Sequence, residues 1–275
     1  IPAGSAGIVV DYHLHTPLCH HALGSPSEYL EIARQTGLCE IGFADHYPLG
    51  LLGIKPQSEV SMSPDELAGY IREIRALGAN EKEIKVKLGV EVDYVPGKKK
   101  KLAQLLARDP FDFVIGSIHF MEDWDFTHPL YTSRYETDSL LEIYRCYFNL
   151  LWQACASGLF DIIGHVDVIK KFDYRLPESV MESYWRQTAR VLKENGLCFE
   201  LNTSGKAAPV CEFYPGRRLL ELCFQEGVPV TLGSDAHGPE QVGRYFDDAI
   251  RLLKEIGYRE LAVFSKRQRS FLPLE

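Results

Sequence analysis

Short apolar runs alternate with segments of helical spacing along most of the chain, and this alternation limits the folds that are open to it. Seven runs have the composition of buried strands, at positions 8–12, 40–44, 85–90, 113–118, 161–164, 197–201 and 229–233. Strands separated by helices form parallel sheets, and seven or eight such units that close on themselves form a barrel. A barrel commonly needs about 250 residues, and the chain has 275. We therefore predict one α/β barrel domain over residues 1–275.

Start and stop signals mark several helices between these runs. A helix is predicted from Ser25 to Gly37, because serine favours a helix start and glycine favours a helix stop. Further helices are predicted from Pro64, over 135–157 and over 241–256, and the tail 261–274 predicts a short terminal strand or arm.

Histidines collect at the carboxyl ends of the predicted strands. Seven of the nine histidines lie at or just after a strand end, as do two carboxylates: His13, His15, His21, His46, His119, His165, His237, Glu91 and Asp235. Side chains two apart on a strand point to the same side, so His13 and His15 can bind one cation. In parallel barrels the loops at this end converge on the active site. We therefore predict a metal centre there, and we interpret His20 and His128 as surface residues.

The predicted ligands are nitrogen and oxygen donors, which suit zinc, iron and manganese. One ion takes three or four donors, so the set is large enough for two or three divalent ions if a carboxylate bridges them. Closely spaced ions lower the pKa of a shared water and hold the attacking and leaving oxygens of a phosphate. Cys19 lies among the histidines in the sequence, and we interpret it as a small packing residue.

Charge and composition argue against several classes of partner. The net charge of −8 and the lack of a basic face beyond Lys98–Lys101 argue against nucleic acid. No apolar stretch reaches 18 residues, so no membrane partner is predicted. The seven cysteines never show CxxC spacing, and no secretion signal is present, which predicts free thiols and a cytoplasmic protein. No nucleophile elbow, P-loop or dinucleotide-binding turn occurs, and the sequence does not indicate an oligomeric state.

Ordered motifs along the chain resemble those of the PHP (polymerase and histidinol phosphatase) superfamily. The motifs are the HxH pair at His13 and His15, His21 before Ala22, FADH with Asp45 and His46, GVEVD with Glu91, GSIHF with Ser117 and His119, GHVD with His165, and GSDAH with Asp235 and His237. The stretches HTPLCxHA, DFVIGSIHFMEDWDF, SGLFDIIGHVDVIKKF and ELNTSG resemble the histidinol-phosphatase branch. The resemblance covers nearly the whole chain.

This resemblance implies a distorted (β/α)7 TIM-like barrel with a trinuclear metal site at the C-terminal ends of the strands. It implies a first ion at His13, His15, Glu91 and Asp235. It implies that Glu91 bridges to a second ion at His119 and His165, and that a third ion lies at His21, His46 and His237. The ligands expected to take part in catalysis are Glu91, His119, Asp235 and His237.

The resemblance also implies a phosphate monoester hydrolase, most directly one that converts L-histidinol phosphate to L-histidinol and phosphate with a metal-bridging hydroxide. One departure bears on the substrate. Relatives often carry an arginine after NTSG, which binds phosphate bidentately, whereas this chain has Lys206-Ala207-Ala208. Lys206 and Lys171 are candidate phosphate ligands, and Trp124 is a candidate to pack on the imidazole of a small phosphorylated substrate.

Some alternatives remain open at this point. A PHP phosphoesterase could act on another small phosphate or on a nucleotide. An amidohydrolase also uses an HxH pair in a barrel, but it usually bridges its metals with a carboxylated lysine or a carboxylate, and no lysine stands at the end of a predicted strand here. A non-catalytic binding module has no need of the full ligand set. Asp45 and Asp93 are both candidates to protonate the leaving alkoxide, and each is also a candidate to orient a histidine.

Overall fold

The computed structural model describes residues 9–56 and 58–274. The strands are β1 (Val10–Leu14), β2 (Glu40–Phe43), β3 (Lys85–Asp93), β4 (Phe113–Ser117), β5 (Phe120–Met121), β6 (Trp124–Asp125), β7 (Ile162–Ile163), β8 (Cys198–Asn202), β9 (Val230–Gly233), β10 (Glu260–Ser265) and β11 (Gln268–Pro273). The α-helices are α1 (Pro26–Gln35), α2 (Leu49–Leu52), α3 (Leu67–Asn80), α4 (Lys99–Leu106), α5 (Arg134–Thr137), α6 (Leu140–Cys155), α7 (Glu178–Glu194), α8 (Arg217–Gln225) and α9 (Phe246–Ile256).

Seven strands form one parallel sheet in the order β1-β2-β3-β4-β7-β8-β9. The two outer strands approach each other as well. His15 N donates to Ala236 O at 3.0 Å, and Ala236 N donates to His13 O at 3.1 Å. The sheet is therefore a nearly closed barrel, which confirms the predicted α/β barrel. We call the contact between β1 and the residues after β9 the seam.

Aromatic side chains fill the barrel near the amino ends of its strands. A Cβ on Gly89 would lie 2.2 Å from Phe113 Cζ, and one on Gly42 would lie 2.6 Å from the same atom, so glycine is needed beside this ring. Tyr12 packs edge-on against Phe113, with ring centroids 4.7 Å apart. The antiparallel hairpin of β10 and β11 covers this end, and Phe264 N donates to Tyr12 Oη at 2.8 Å. Polar groups are thereby left to the opposite, carboxyl end.

Local signals explain the first helix well. Ser25 N donates to Glu28 Oε2 at 2.6 Å in a capping box, and Pro26 occupies the first helical position. Gly37 follows the helix with φ of +75°, a conformation that favours glycine. The predicted helix between Ser25 and Gly37 therefore forms as α1.

Several elements differ from the predictions in their bounds. The predicted helix over 135–157 is two helices, α5 and α6, because Asp138 and Ser139 leave the helical conformation between them. The last predicted helix begins at Phe246, five residues later than expected, because a short turn and Gly243, with φ of +66°, precede it. The first strand extends to Leu14, and the predicted Ile8 lies outside the described residues.

The tail forms a regular hairpin, with Glu260 opposite Pro273. Helices α2, α7 and α8 were not predicted. Within residues 9–56 and 58–274, no helix is both long and apolar enough to cross a membrane.

Candidate metal centre

The seam brings His13 and His15 close to Asp235, and the end of β3 places Glu91 beside them. Nε2 of His13 lies 3.3 Å from Glu91 Oε2 and 3.8 Å from Asp235 Oδ1. Nε2 of His15 lies 3.2 Å from Asp235 Oδ1 and 3.7 Å from Glu91 Oε2. His13, His15 and Glu91 are buried. Two imidazole nitrogens and two carboxylate oxygens therefore face one another at the carboxyl ends of the strands.

The second oxygen of Glu91 faces another pair of histidines. Nε2 of His165 lies 2.9 Å from Glu91 Oε1, and Nε2 of His119 lies 3.5 Å from the same oxygen. The two Nε2 atoms are 3.1 Å apart. Ser117 Oγ donates a hydrogen bond of 2.6 Å to Glu91 Oε1 and fixes its position. The two oxygens of Glu91 thus face two separate histidine groups, as those of a bridging carboxylate do.

The three remaining predicted ligands lie together beside these groups. Nε2 of His21 lies 3.0 Å from Nε2 of His237. The rings of His21 and His46 have centroids 5.5 Å apart. Nδ1 of His46 also lies 3.0 Å from Glu91 Oε2, so this ring contacts both the first group and the other two histidines. All three side chains line one cleft.

Several nitrogen and oxygen atoms of the cluster that could bind a metal lack a hydrogen-bond partner within the described part of the chain. They are the buried Nε2 atoms of His13 and His15 and the buried Oε2 of Glu91. A buried polar atom without a partner costs about 1–3 kcal/mol. A divalent ion removes this cost, because the lone pairs of several donors can then point at one cation. The donor set of imidazoles and carboxylates therefore fits divalent metal ions.

Carboxylates orient three of the histidines from behind. The pairs are His13 Nδ1 with Glu200 Oε2 at 2.8 Å, His15 Nδ1 with Asp45 Oδ1 at 3.4 Å, and His119 Nδ1 with Asp93 Oδ1 at 3.1 Å. A carboxylate on Nδ1 keeps the proton there and leaves Nε2 free to bind a metal. Glu200 was not among the predicted site residues. Its signal was a charged side chain in an otherwise apolar strand, next to the NTSG motif.

Asp235 has a left-handed backbone, with φ of +52°. Such a conformation costs about 1–3 kcal/mol in a residue other than glycine and needs support from its surroundings. Arg244 supplies part of it, because Nη2 donates to Asp235 O at 3.2 Å and Nε donates to Ser234 O at 3.1 Å. Asp11 accepts hydrogen bonds from Ser234 N at 2.9 Å and Gly243 N at 3.0 Å. Sequence reasoning missed both Asp11 and Arg244 as supports of this ligand.

The two carboxylate ligands are ionised at neutral pH. Burial alone raises the pKa of Glu91, but the charges of His13, His46 and His119 bring it well below its ordinary value. Burial also raises the pKa of Asp235, but the charge of His13 and the hydrogen bond from His15 bring it well below its ordinary value. The centre therefore offers two anionic oxygen ligands.

The ligands open into a cleft of about 490 Å³, which Lys171 lines as well. Nζ of Lys171 donates to Thr127 O at 2.9 Å. Burial lowers the pKa of Lys171, and the charges of Asp235 and Asp125 oppose that effect. Of the two lysines predicted to bind phosphate, this one lines the same cleft as the predicted metal ligands.

The structure corrects the placement of the other two predicted substrate ligands. Trp124 is buried, donates from Nε1 to Tyr131 O at 2.7 Å and packs under Arg134 outside the cleft. Lys206 lies over the ring of Phe213 and lines a separate cavity of about 500 Å³. Trp124, in β6, and Lys206, after β8, both lie outside the cleft that the predicted metal ligands line, so neither is in position to contact a substrate there.

His128 lies half-buried in a loop outside the histidine cluster, as interpreted from the sequence, and it also lines the cleft. Its ring stacks on Tyr131, with centroids 4.6 Å apart, and Nδ1 accepts a hydrogen bond of 3.2 Å from Leu130 N. The residue follows no barrel strand, so the pattern that identified the other histidines could not identify it. His20 is exposed and lies outside the cleft, as interpreted from the sequence.

Comparisons with known proteins point the same way as the geometry. The PHP domain family matches residues 11–204. A protein named "Probable histidinol-phosphatase" from Deinococcus radiodurans is 39% identical over 250 residues, which cover 90% of this chain and 94% of that protein. The histidinol-phosphatase of Lactococcus lactis is 26% identical over 264 residues, covering 93% and 94% of the two chains. The crystal structure of histidinol phosphate phosphatase from Lactococcus lactis, complexed with zinc, L-histidinol and phosphate, superposes with a TM-score of 0.82 at 25% identity over 95% of this chain and 98% of that chain.

Proposed function

This chain belongs to the PHP domain family, and from that premise we propose that it is a metal-dependent phosphomonoesterase that hydrolyses L-histidinol phosphate to L-histidinol and phosphate. The observation that carries the proposal is the position of Glu91, whose two oxygens face two histidine groups at the carboxyl end of the barrel. The cleft above it has room for a small phosphate ester. The barrel domain is proposed to span residues 1–275, since Asp235 and His237 lie beyond the family match.

Two or three divalent ions of zinc, iron or manganese are proposed to bind this centre. The sets are His13, His15, Glu91 and Asp235 for the first ion, Glu91, His119 and His165 for the second, and His21, His46 and His237 for the third. When bound, the ions neutralise charge on the phosphate oxygens and lower the pKa of water. Zinc has support from the Lactococcus lactis complex. Glu91, His119, Asp235 and His237 are the ligands proposed to act in catalysis.

Residues of the chain itself bind the phosphate and donate a proton to the leaving group. The Lys171 ammonium faces the cleft and binds a phosphate oxygen as a point charge. Asp45 accepts hydrogen bonds on both oxygens, from His46 N on Oδ1 and from Thr16 N on Oδ2, so its function is to orient His15. Within the described residues, Asp93 makes hydrogen bonds through Oδ1 alone, to His119, and it lines the cleft. In its protonated form it is therefore the group proposed to donate a proton to the leaving alkoxide.

All seven cysteines are unpaired, which supports a reducing compartment and hence a cytoplasmic location.

The proposal is tested by phosphate release from L-histidinol phosphate and from p-nitrophenyl phosphate, with metal content measured on the same preparation. We expect much faster phosphate release from L-histidinol phosphate than from p-nitrophenyl phosphate. We expect His119→Asn to abolish phosphate release from L-histidinol phosphate. The matched control is His20→Asn, an exposed histidine whose left-handed backbone (φ of 66°) asparagine tolerates. This control retains full activity.

Two other outcomes are informative. Bound metal with equal activity on both esters would support a phosphoesterase but exclude L-histidinol phosphate as its specific substrate. Bound metal with no activity on either ester would contradict the proposal and favour an amidohydrolase.

A further inference from the structure

Asp125 is a nearly buried carboxylate that lines the cleft without a cationic partner. The residue is only 9% exposed to solvent, and it lines the cleft. Within residues 9–56 and 58–274, no lysine, arginine or histidine nitrogen lies within 4.0 Å of its carboxylate. A buried negative charge is costly unless a positive group or hydrogen bonds compensate it. The cleft therefore contains an anionic group that forms no ion pair with the described part of the chain.

The position of Asp125 is fixed by its hairpin. Strands β5 and β6 pair Phe120 with Asp125, and Phe126 N donates to His119 O at 3.2 Å, which ties the hairpin to a predicted metal ligand. Asp125 Oδ1 accepts hydrogen bonds from Thr127 N at 3.0 Å and from Thr127 Oγ1 at 2.8 Å. Oδ2 makes no hydrogen bond in the described part of the chain. One oxygen thus holds the side chain in place, and the other is free to bind a ligand.

The free oxygen lies close to the phosphate-binding side of the cleft. Lys171 Nζ donates to Thr127 O at 2.9 Å, so Thr127 contacts both Lys171 and Asp125. The charge of Asp125 is also felt at His119 and at Lys171, where it raises the pKa of both groups against the effect of burial. A positive group on the substrate that reaches Asp125 is therefore close to the phosphate bound at Lys171.

We propose that Asp125 selects phosphate monoesters of 2-amino alcohols, because its free oxygen binds the ammonium group that lies next to the ester carbon. This inference rests on the proposed function and deepens it. In L-histidinol phosphate the amine is on the carbon adjacent to the CH₂–O–P group, so ammonium and phosphate are separated by two carbons. Asp125 supplies a negative group and Lys171 a positive one, and both side chains form hydrogen bonds with the same residue, Thr127. Glu59, the other carboxylate of the cleft outside the histidine cluster, is exposed, so water still hydrates its charge.

The test compares L-histidinol phosphate with its desamino analogue, 3-(imidazol-4-yl)propyl phosphate, in the zinc-loaded wild type and in Asp125→Asn. Asparagine keeps an oxygen for Thr127 and replaces the free oxygen by an N–H donor, which repels an ammonium. We expect kcat/KM for L-histidinol phosphate to fall about 10- to 100-fold, the worth of a charged hydrogen bond. The desamino analogue loses far less in the same variant, and in the wild type it is the poorer substrate by a similar factor.

Glu59→Gln is the matched control, since it removes an exposed carboxylate from the same cleft, and its kcat/KM stays unchanged for both esters. Equal losses for both esters in Asp125→Asn would overturn the proposal and assign Asp125 a structural function. A loss in Glu59→Gln as large as that in Asp125→Asn would overturn it too, since any carboxylate of the cleft would then serve.

The wild-type comparison keeps the proposal testable if Asp125→Asn does not fold. Equal kcat/KM for the two esters in the wild type would overturn it without any variant. This failure is distinct from failure of the proposed function, in which the wild type does not prefer L-histidinol phosphate to p-nitrophenyl phosphate.

Discussion

His13 Nδ1 lies 2.8 Å from Glu200 Oε2, inside the barrel and out of contact with solvent. The same carboxylate accepts hydrogen bonds on Oε1 from His165 N and from Asn202 Nδ2, each at 2.8 Å. Glu200 therefore positions two predicted metal ligands, His13 and His165, which lie on either side of Glu91. It is not itself a predicted ligand.

Glu200→Gln is expected to lower zinc affinity about 10- to 100-fold, as loss of a partner behind a ligand does. Three donors surround the Glu200 carboxylate, so the amide nitrogen faces another donor in either orientation. The measurement is zinc competition against a chelating dye. Glu221→Gln on α8, which removes a half-buried carboxylate that pairs with Arg217 far from the predicted ligands, should leave zinc affinity unchanged, and equal affinity in both variants would contradict this function of Glu200.

Gly233→Ala is expected to weaken metal binding and to lower the free energy of unfolding by about 1–3 kcal/mol. A Cβ there would lie 2.4 Å from Glu200 Oε2 and 2.8 Å from His13 Cβ, so this pair must move. Zinc titration and urea denaturation measure the two effects. Gly69→Ala in α3 meets nothing within 4 Å, and its free energy of unfolding should rise by up to about 1 kcal/mol. Wild-type zinc affinity in Gly233→Ala would show that the pair does not set the site.

Removal of metal is expected to lower the Tm by roughly 10 °C relative to protein with zinc at about 1,000 times its Kd. The buried Nε2 atoms of His13 and His15 lose their only proposed partner in the metal-free protein. Calorimetry before and after chelation, and after zinc is restored, measures the shift. Asp235→Asn should show a smaller shift, and a Tm that does not respond to chelation would contradict a metal centre that is part of the folded state.

Lys171 is expected to limit activity at alkaline pH. Burial lowers the pKa of its ammonium, with Asp235 and Asp125 opposing, so the positive charge is present below that pKa and is lost as the pH rises through it. The alkaline limb of kcat/KM should therefore move to higher pH in Lys171→Arg, because arginine stays charged. Lys206→Arg, a change in the separate cavity, should leave the limb in place. An unmoved limb in Lys171→Arg would assign the titration to another group.

The barrel and the ligand positions were predictable because both depend on short-range patterns. A buried strand needs a continuous apolar run, and in a parallel barrel every such run ends at the same face. His119 and His165 could therefore be placed near each other from their positions after two strands, and their Nε2 atoms are 3.1 Å apart.

The groups around the ligands depend on turns and tertiary packing that no local pattern specifies. Lys171 and Lys206 both follow a barrel strand closely, yet one faces the cleft and the other packs on Phe213. Trp124 was misplaced because its hairpin packs it inward, and the place of His128 in the cleft was not predicted because it comes from a loop outside the strand–helix alternation. Glu200 was visible in the sequence, but its contact with His13 spans 187 residues.

The seam has a consequence for how the protein is made. His13 and His15 are synthesised long before Asp235 and His237, and His21 contacts His237 across 216 residues. A nascent chain can present the HxH pair to a cation, but it cannot form the first ligand set before Asp235 has been synthesised, or the third before His237. With the proposed ligand sets, acquisition of the full complement of ions is therefore a late event, and the first ion would link the first strand of the barrel to the residues that follow its last strand.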